Sequence, residues 1–166
     1  MNSNVANDVS ARVVLGIYLV LAVISSACGN SMAKTEPERV WTSESKQLAD
    51  GVIEVKSGES WEVNFIVDST MRNVEIHGEF EASGGSGNDI KAAIAEKGQY
   101  KNWVNGHSAT TIFQTEQTTT GQINTKSLFS KLGPGEYTLG FNNRFSVVSD
   151  KTVRAKIVLS YEQLSR

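Results

Sequence analysis

Two hydrophobic patterns divide the chain. Residues 13–27 form one uncharged apolar run, VVLGIYLVLAVISSA, which ends at the single cysteine, Cys28. From Val52 onward, apolar and polar residues alternate with a period of two, which predicts half-buried β-strands. The first pattern indicates an export signal or a membrane segment, and the second indicates a folded β domain.

The alternation is clearest in three segments. The apolar positions that share one face are Trp61, Val63, Phe65 and Val67 in the first segment, Val74, Ile76 and Phe80 in the second, and Val153, Ala155, Ile157, Leu159 and Tyr161 in the third. Turn-forming residues separate such segments, as at 56–58, 84–88, 105–106 and 133–135,. One-sided alternation with short turns is typical of antiparallel sheets packed face to face. We therefore predict an all-β antiparallel sandwich of about eight strands over residues 51–162, followed by a tail at 163–166.

The apolar run and its cysteine match the layout of a bacterial lipoprotein signal. A secretory signal has about 7–15 apolar residues and small residues at its cleavage point, and Ser25, Ser26 and Ala27 precede Cys28. We predict a signal peptide at 1–27, lipidation of Cys28 and a polar tether at 28–50. Lipoprotein signals usually carry an aliphatic residue where this chain has Ser25. An uncleaved spanning helix, which needs about 20 mostly apolar residues, and simple secretion therefore stay open, and each exports the same domain.

Composition narrows the classes of function. The chain carries 16 Lys and Arg against 18 Asp and Glu, a net charge of −2, which offers no general attraction for nucleic acid,. Its two histidines do not fit the spacing of a nucleophile or acid–base motif, so we predict neither an enzyme nor a cofactor. His77, Glu79 and Glu81 would share one strand face, an arrangement that suits a metal but is also typical of a solvated face. We predict no metal site.

Two aromatic residues fall where no core pattern demands them. Tyr100 and Trp103 lie in GQYKNWVNGHS, among polar and turn-forming neighbours. Exposed aromatic rings on a sandwich can stack on sugar rings or anchor a protein contact. The alternative is that both rings cap the end of the sandwich beneath their loop.

The segment from Leu132 to Tyr161, LGPGEYTLGFNNRFSVVSDKTVRAKIVLSY, resembles the end of a GOLD (Golgi-dynamics) domain. The motif positions that match are Gly135, Tyr137, Asn143, Phe145, Ser146, Ser149 and Lys151. The resemblance implies a jelly-roll β-sandwich that serves as a binding module. The family's cargo receptors carry a disulfide inside the domain, for which this chain lacks the cysteines, so we do not expect cargo sorting to transfer. We do not expect lipid carriage to transfer either, because the sandwich is not accompanied by a lipid-transfer domain in this sequence.

The matching residues also have a structural interpretation. Tyr137 begins an alternating strand and is expected in the core, whereas Asn143 tolerates a left-handed backbone and can bond local main chain. Ser146 and Ser149 can do the same. We therefore expect the motif to shape a corner between strands, with ligand contact by Arg144 or Lys151 as the alternative.

These observations favour one functional hypothesis and leave others open. The leading hypothesis is a membrane-anchored binding module of the cell envelope, facing the periplasm or exterior, that contacts a protein partner through its loops or a sheet edge. The alternatives are a carbohydrate- or peptidoglycan-binding sandwich that uses Tyr100 and Trp103, and an uncleaved single-pass membrane protein with the same exported domain.

Overall fold

The computed structural model describes residues 38–85, 87–127 and 132–165. The predicted signal peptide, the predicted lipidation site at Cys28 and the tether up to residue 37 lie outside the described residues. Within the described part, no helix is both long and apolar enough to cross a membrane.

Within these ranges, eight strands form two four-stranded sheets. They are β1 (Trp41–Val55), β2 (Ser60–Val67), β3 (Met71–Ser83), β4 (Lys91–Glu96), β5 (Phe113–Gln114), β6 (Thr120–Asn124), β7 (Gly135–Asn142) and β8 (Lys151–Leu164), with helix α1 (Lys97–Val104) after β4 and a 3₁₀ turn (Thr125–Ser127) after β6. Sheet A has the order β1-β8-β3-β6 and sheet B the order β2-β7-β4-β5. All paired strands are antiparallel. This is an eight-stranded jelly roll, which confirms the predicted fold class.

The core lies between the sheets, on the faces that the alternation predicts. Phe65, Val67, Ile76, Phe80 and four apolar residues of β8 are buried. Aromatic rings join the layers: the Phe141 ring centroid lies 5.7 Å from that of Trp61 and 5.2 Å from that of Phe80. The contact between Phe80 and Phe141 crosses from sheet A to sheet B.

The folded domain begins earlier than the predicted boundary. Strand β1 starts at Trp41, and the Arg72 guanidinium carbon of β3 lies 4.0 Å from the centroid of the Trp41 ring. The predicted tether of 28–50 is therefore wrong from Trp41 onward, and the predicted tail is too long because β8 runs to Leu164. The period of two fails in β1 because its first half is exposed on both faces and its register to β8 shifts between Gln47 and Ala49,.

The strands give the sandwich two distinct ends. Trp41 pairs with Leu164 at one end, which we call the entry end. Val55 pairs with Lys151 at the other, where Lys91 also pairs with Asn142, and we call this the far end. At about 3.3 Å per residue, the 15 residues of β1 span roughly 45 Å between them,.

Candidate functional site

A cleft at the far end brings together residues from α1, β4 and the corner after β7. Its volume is about 370 Å³, within the range of ligand pockets,. It is lined by Lys91, Trp103, Val104, Asn105, Gly106, Asn142, Arg144 and Phe145. We call it the Trp103 cleft. It joins Trp103 and Arg144, which the sequence suggested separately as ligand contacts.

Tyr100 is not part of this cleft surface. Helix α1 packs on the outer face of sheet B, where Ala93, Ala95 and Gly140 are buried beneath it. Tyr100 is 1% exposed, and a Cβ on Gly140 would lie only 1.9 Å from its hydroxyl oxygen. Burial, with the charge of Glu62 as a second cause, raises the pKa of Tyr100. The prediction that Tyr100 contacts a ligand is therefore wrong, because its ring serves to dock the helix.

Tyr100 in turn positions Trp103. The two ring centroids are 5.6 Å apart, and Trp103 remains half-buried at the surface. The alternative interpretation of these aromatics, capping beneath the loop, therefore applies to Tyr100, whereas Trp103 keeps an accessible ring.

The end of α1 is closed by a Schellman motif. The Gly106 N–H donates to the Trp103 carbonyl over 3.0 Å, and the His107 N–H donates to the Asn102 carbonyl over 2.9 Å. Gly106 has a φ of 75°, the left-handed conformation that this motif requires,. The motif holds the Asn105 side chain at the cleft, where its Nδ2 donates to the Lys101 carbonyl over 2.7 Å.

Arg144 links the helix to the corner after β7. Its Nη1 donates to the Asn105 Oδ1 over 2.8 Å, and its backbone N–H donates to the Asn142 Oδ1 over 2.8 Å. A cation near the C-terminus of a helix is also favoured by the helix dipole. The guanidinium is thus exposed but held in place on one side of the cleft.

Asn143 organises the corner beneath Arg144. It is fully buried, and its Nδ2 donates to the carbonyls of Val55, Lys56 and Ser149 over 2.9–3.2 Å. The predicted role in bonding main chain is confirmed. The left-handed backbone is not used here, since the described non-glycine residues with positive φ are Asn73 and Asn88.

The remaining motif positions shape the same corner. Ser146 Oγ donates to the Ser149 carbonyl and accepts from the Ser149 N–H. Gly135 begins β7, and Tyr137 is buried with its hydroxyl donating to the Gly133 carbonyl over 2.9 Å. Of these positions, Phe145 alone lines the cleft.

Lys151 is structural and not a ligand contact. It is 3% exposed, and its Nζ donates to the Gly84 carbonyl over 2.8 Å and to Asp89 Oδ1 over 2.9 Å. The hydrogen bond from Lys151 holds the pKa of Asp89 below its ordinary value. The ammonium thus pins the loop between β3 and β4 to the start of β8, and the suggested ligand role of Lys151 is wrong.

The sequence did not indicate Lys91 or Asn105 as site residues. Lys91 is the first residue of β4 and pairs with Asn142, so only the β4–β7 register brings it to the cleft. The sequence marked Asn105 as a turn residue beside Gly106. It did not predict the short helix that ends just before Asn105.

A larger groove of about 820 Å³ crosses the outer face of sheet A. Its charged side chains are Asp50, Glu79, Glu81, Arg154 and Lys156. Acids and bases alternate here, and the one aromatic residue among the described residues that line it, Phe80, is buried in the core. His77 lies on this face, yet no group of three or more His, Cys, Asp or Glu side chains in the described ranges is placed to hold a metal.

No family model matches this chain, and no curated protein matches it in sequence. The resemblance to the GOLD domain therefore stays a prediction from the motif residues.

Proposed function

We propose that the protein is an extracytoplasmic glycan-binding module, attached to a membrane of the bacterial cell envelope through lipid on Cys28. The single observation that carries the binding role is the half-buried Trp103 side chain, which lines a cleft together with the carboxamides of Asn105 and Asn142. An aromatic ring supplies an apolar face for a sugar, and amide groups bond its hydroxyls.

The position of the cleft supports this proposal. The chain enters the sandwich at Trp41, and the cleft lies about 45 Å away at the other end of β1,. The cleft therefore lies at the end of the folded domain opposite to the point where the chain enters it. Elements that are fixed before binding also lower the entropic cost of ordering a site.

Glycan binding is tested with the full-length protein in mild detergent on an immobilised glycan array. We expect binding that Trp103→Ala abolishes while the melting temperature stays within a few degrees. Trp41→Ala is the matched control, because it removes an indole at the entry end and should leave binding intact. Glycan binding that survives Trp103→Ala would place the site elsewhere and refute the assignment to this cleft.

Anchoring is tested by the intact mass of protein extracted from membranes. We expect a chain that begins at Cys28 and carries additional acyl mass, and Cys28→Ser should remove that mass. A full-length chain without a modification would refute the lipid anchor and favour the uncleaved helix.

A protein partner is the second candidate, and one observation favours it. Val147 and Val148 are 86% and 90% exposed on the loop between β7 and β8. The loop is fixed by the Ser57 Oγ, which donates to the Val147 carbonyl over 3.0 Å. Two adjacent apolar side chains on a fixed loop suit insertion into a protein pocket. Cross-linking in cells that is lost in the Val147→Ser/Val148→Ser variant would identify this use.

A further inference from the structure

We propose, on the basis of the glycan-binding function above, that the Trp103 cleft selects glycans whose sugar rings carry an anionic group, a carboxylate or a phosphate. The charge around the cleft supports this selection. Lys91 and Arg144 contribute two positive charges, in a chain whose net charge is −2. None of the described residues that line the cleft is acidic.

Neither cation is neutralised by a neighbour. In the part of the chain that the structure describes, Lys91 and Arg144 form no ion pair with a carboxylate. Asp89, two residues before Lys91, bonds the buried Lys151 instead. Two cations without a carboxylate partner thus line the same cleft as an aromatic ring. A sugar that carries a negative charge would complete this arrangement.

The helix end does not cancel this charge. Backbone carbonyls at a helix C-terminus carry partial negative charge and would repel an anion. Here three of them already accept hydrogen bonds: Lys101 from the Asn105 side chain, Asn102 from the His107 N–H and Trp103 from the Gly106 N–H. The cations, rather than the helix end, therefore determine the sign of the local charge.

The guanidinium is also oriented for an additional partner. It has five N–H donors, and Asn105 accepts one hydrogen bond from Nη1,. No other acceptor among the described residues bonds this side chain. Lys91 lines the same cleft, and its register partner Asn142 bonds the Arg144 backbone. An anion in the cleft would form charge-assisted hydrogen bonds with these cations while its sugar ring stacks on Trp103.

The test compares matched glycans on an array with the full-length protein. The pairs are uronic acid oligomers against their methyl esters, sialylated glycans against their sialic acid methyl esters, and phosphorylated against unphosphorylated sugars. The first two pairs test the carboxylate and the third tests the phosphate. The variants are Arg144→Gln and Lys91→Gln. Lys101→Gln is the control, because it removes an exposed cation from the last turn of the same helix outside the cleft lining.

We expect the acidic member of at least one pair to bind more tightly. Each cleft variant should weaken that binding about tenfold or more, the effect of losing a hydrogen bond to a charged group. In each cleft variant, binding to neutral glycans should weaken less than binding to their acidic counterparts, whereas Lys101→Gln should bind both as the wild type does. Equal binding of both members, still abolished by Trp103→Ala, would overturn the charge selection and leave the glycan-binding function standing. Binding to no glycan would overturn both.

Discussion

The two partners of the ion pair between Lys151 and Asp89 differ in burial. Replacing one partner should therefore destabilise the protein by a different amount than replacing the other. Lys151 is 3% exposed, whereas the Asp89 side chain is 26% exposed. Replacing Asp89 by Ala leaves a buried ammonium with only the Gly84 carbonyl as acceptor. Replacing Lys151 by Met removes the buried charge, keeps much of the apolar stem and leaves a carboxylate that water can reach.

The expected losses follow from these exposures. Removing one partner of a buried pair costs about 3–5 kcal/mol. Because water can enter where the Asp89 carboxylate was, we expect the lower end, about 3 kcal/mol, for Asp89→Ala. For Lys151→Met we expect about 1 kcal/mol, since the charge that needs a partner has gone. The double variant should resemble Lys151→Met alone, which gives a coupling of about 3 kcal/mol.

The assay is urea and thermal unfolding of the full-length protein, followed by circular dichroism at pH 7. Glu136→Ala, which breaks the exposed pair with Lys97, is the control and should leave the melting temperature nearly unchanged,. A smaller loss for Asp89→Ala than for Lys151→Met would refute the reasoning.

The pH dependence provides an independent check on the same pair. The pKa of Asp89 is lowered from 3.8 in the folded protein, chiefly by the Lys151 hydrogen bond. The stabilisation is therefore fully present above pH 3.8 and is lost as the pH falls through the lowered pKa. The Asp89→Asn variant has no carboxylate at this position, so its stability should fall less between neutral and acidic pH than that of the wild type. An identical acid-induced loss in the wild type and Asp89→Asn would contradict the assignment.

Three further substitutions test the elements that support the cleft. Gly140→Ala should lower the free energy of unfolding by about 1–3 kcal/mol, because the new methyl group would overlap Tyr100,. The tryptophan fluorescence maximum should shift as well. An unchanged urea midpoint would argue against helix docking on this glycine. Asn143→Ala should cost at least about 2 kcal/mol in urea unfolding, because buried carbonyls lose their donor,; a near-neutral result would show that the corner holds without it. Trp41→Ala should cost about 0.5–1 kcal/mol in thermal unfolding through loss of the contact with Arg72,; no change would indicate that β1 frays before this residue.

Strands with one buried face were predictable from sequence, and strands without one were not. The alternation in β2, β3 and β8 marked the core side of each, as the burial of Phe65, Ile76 and Ile157 confirms. The first half of β1 was missed because an edge strand with two exposed faces has no hydrophobic period. Helix α1 was missed because its eight residues bury Tyr100 alone, too little to produce a helical repeat.

The site depends on pairings that the sequence does not contain. Trp103 and Arg144 were identifiable one by one, as an aromatic in polar surroundings and a cation at a corner. Their proximity arises because α1 folds back on sheet B, where Gly140 leaves space for Tyr100. Lys151 resembled a surface cation by sequence, and its burial depends on a loop from a different strand.

The long pairing of β1 with β8 has a mechanical consequence. It runs from Trp41 opposite Leu164 to Val55 opposite Lys151. If the chain is held by its N-terminal side while a ligand is held at the far end, tension acts along β1, parallel to the strand. The interstrand hydrogen bonds then share the load in shear, rather than opening one after another as in peeling. A domain with this geometry would resist unfolding under a force applied between its two ends.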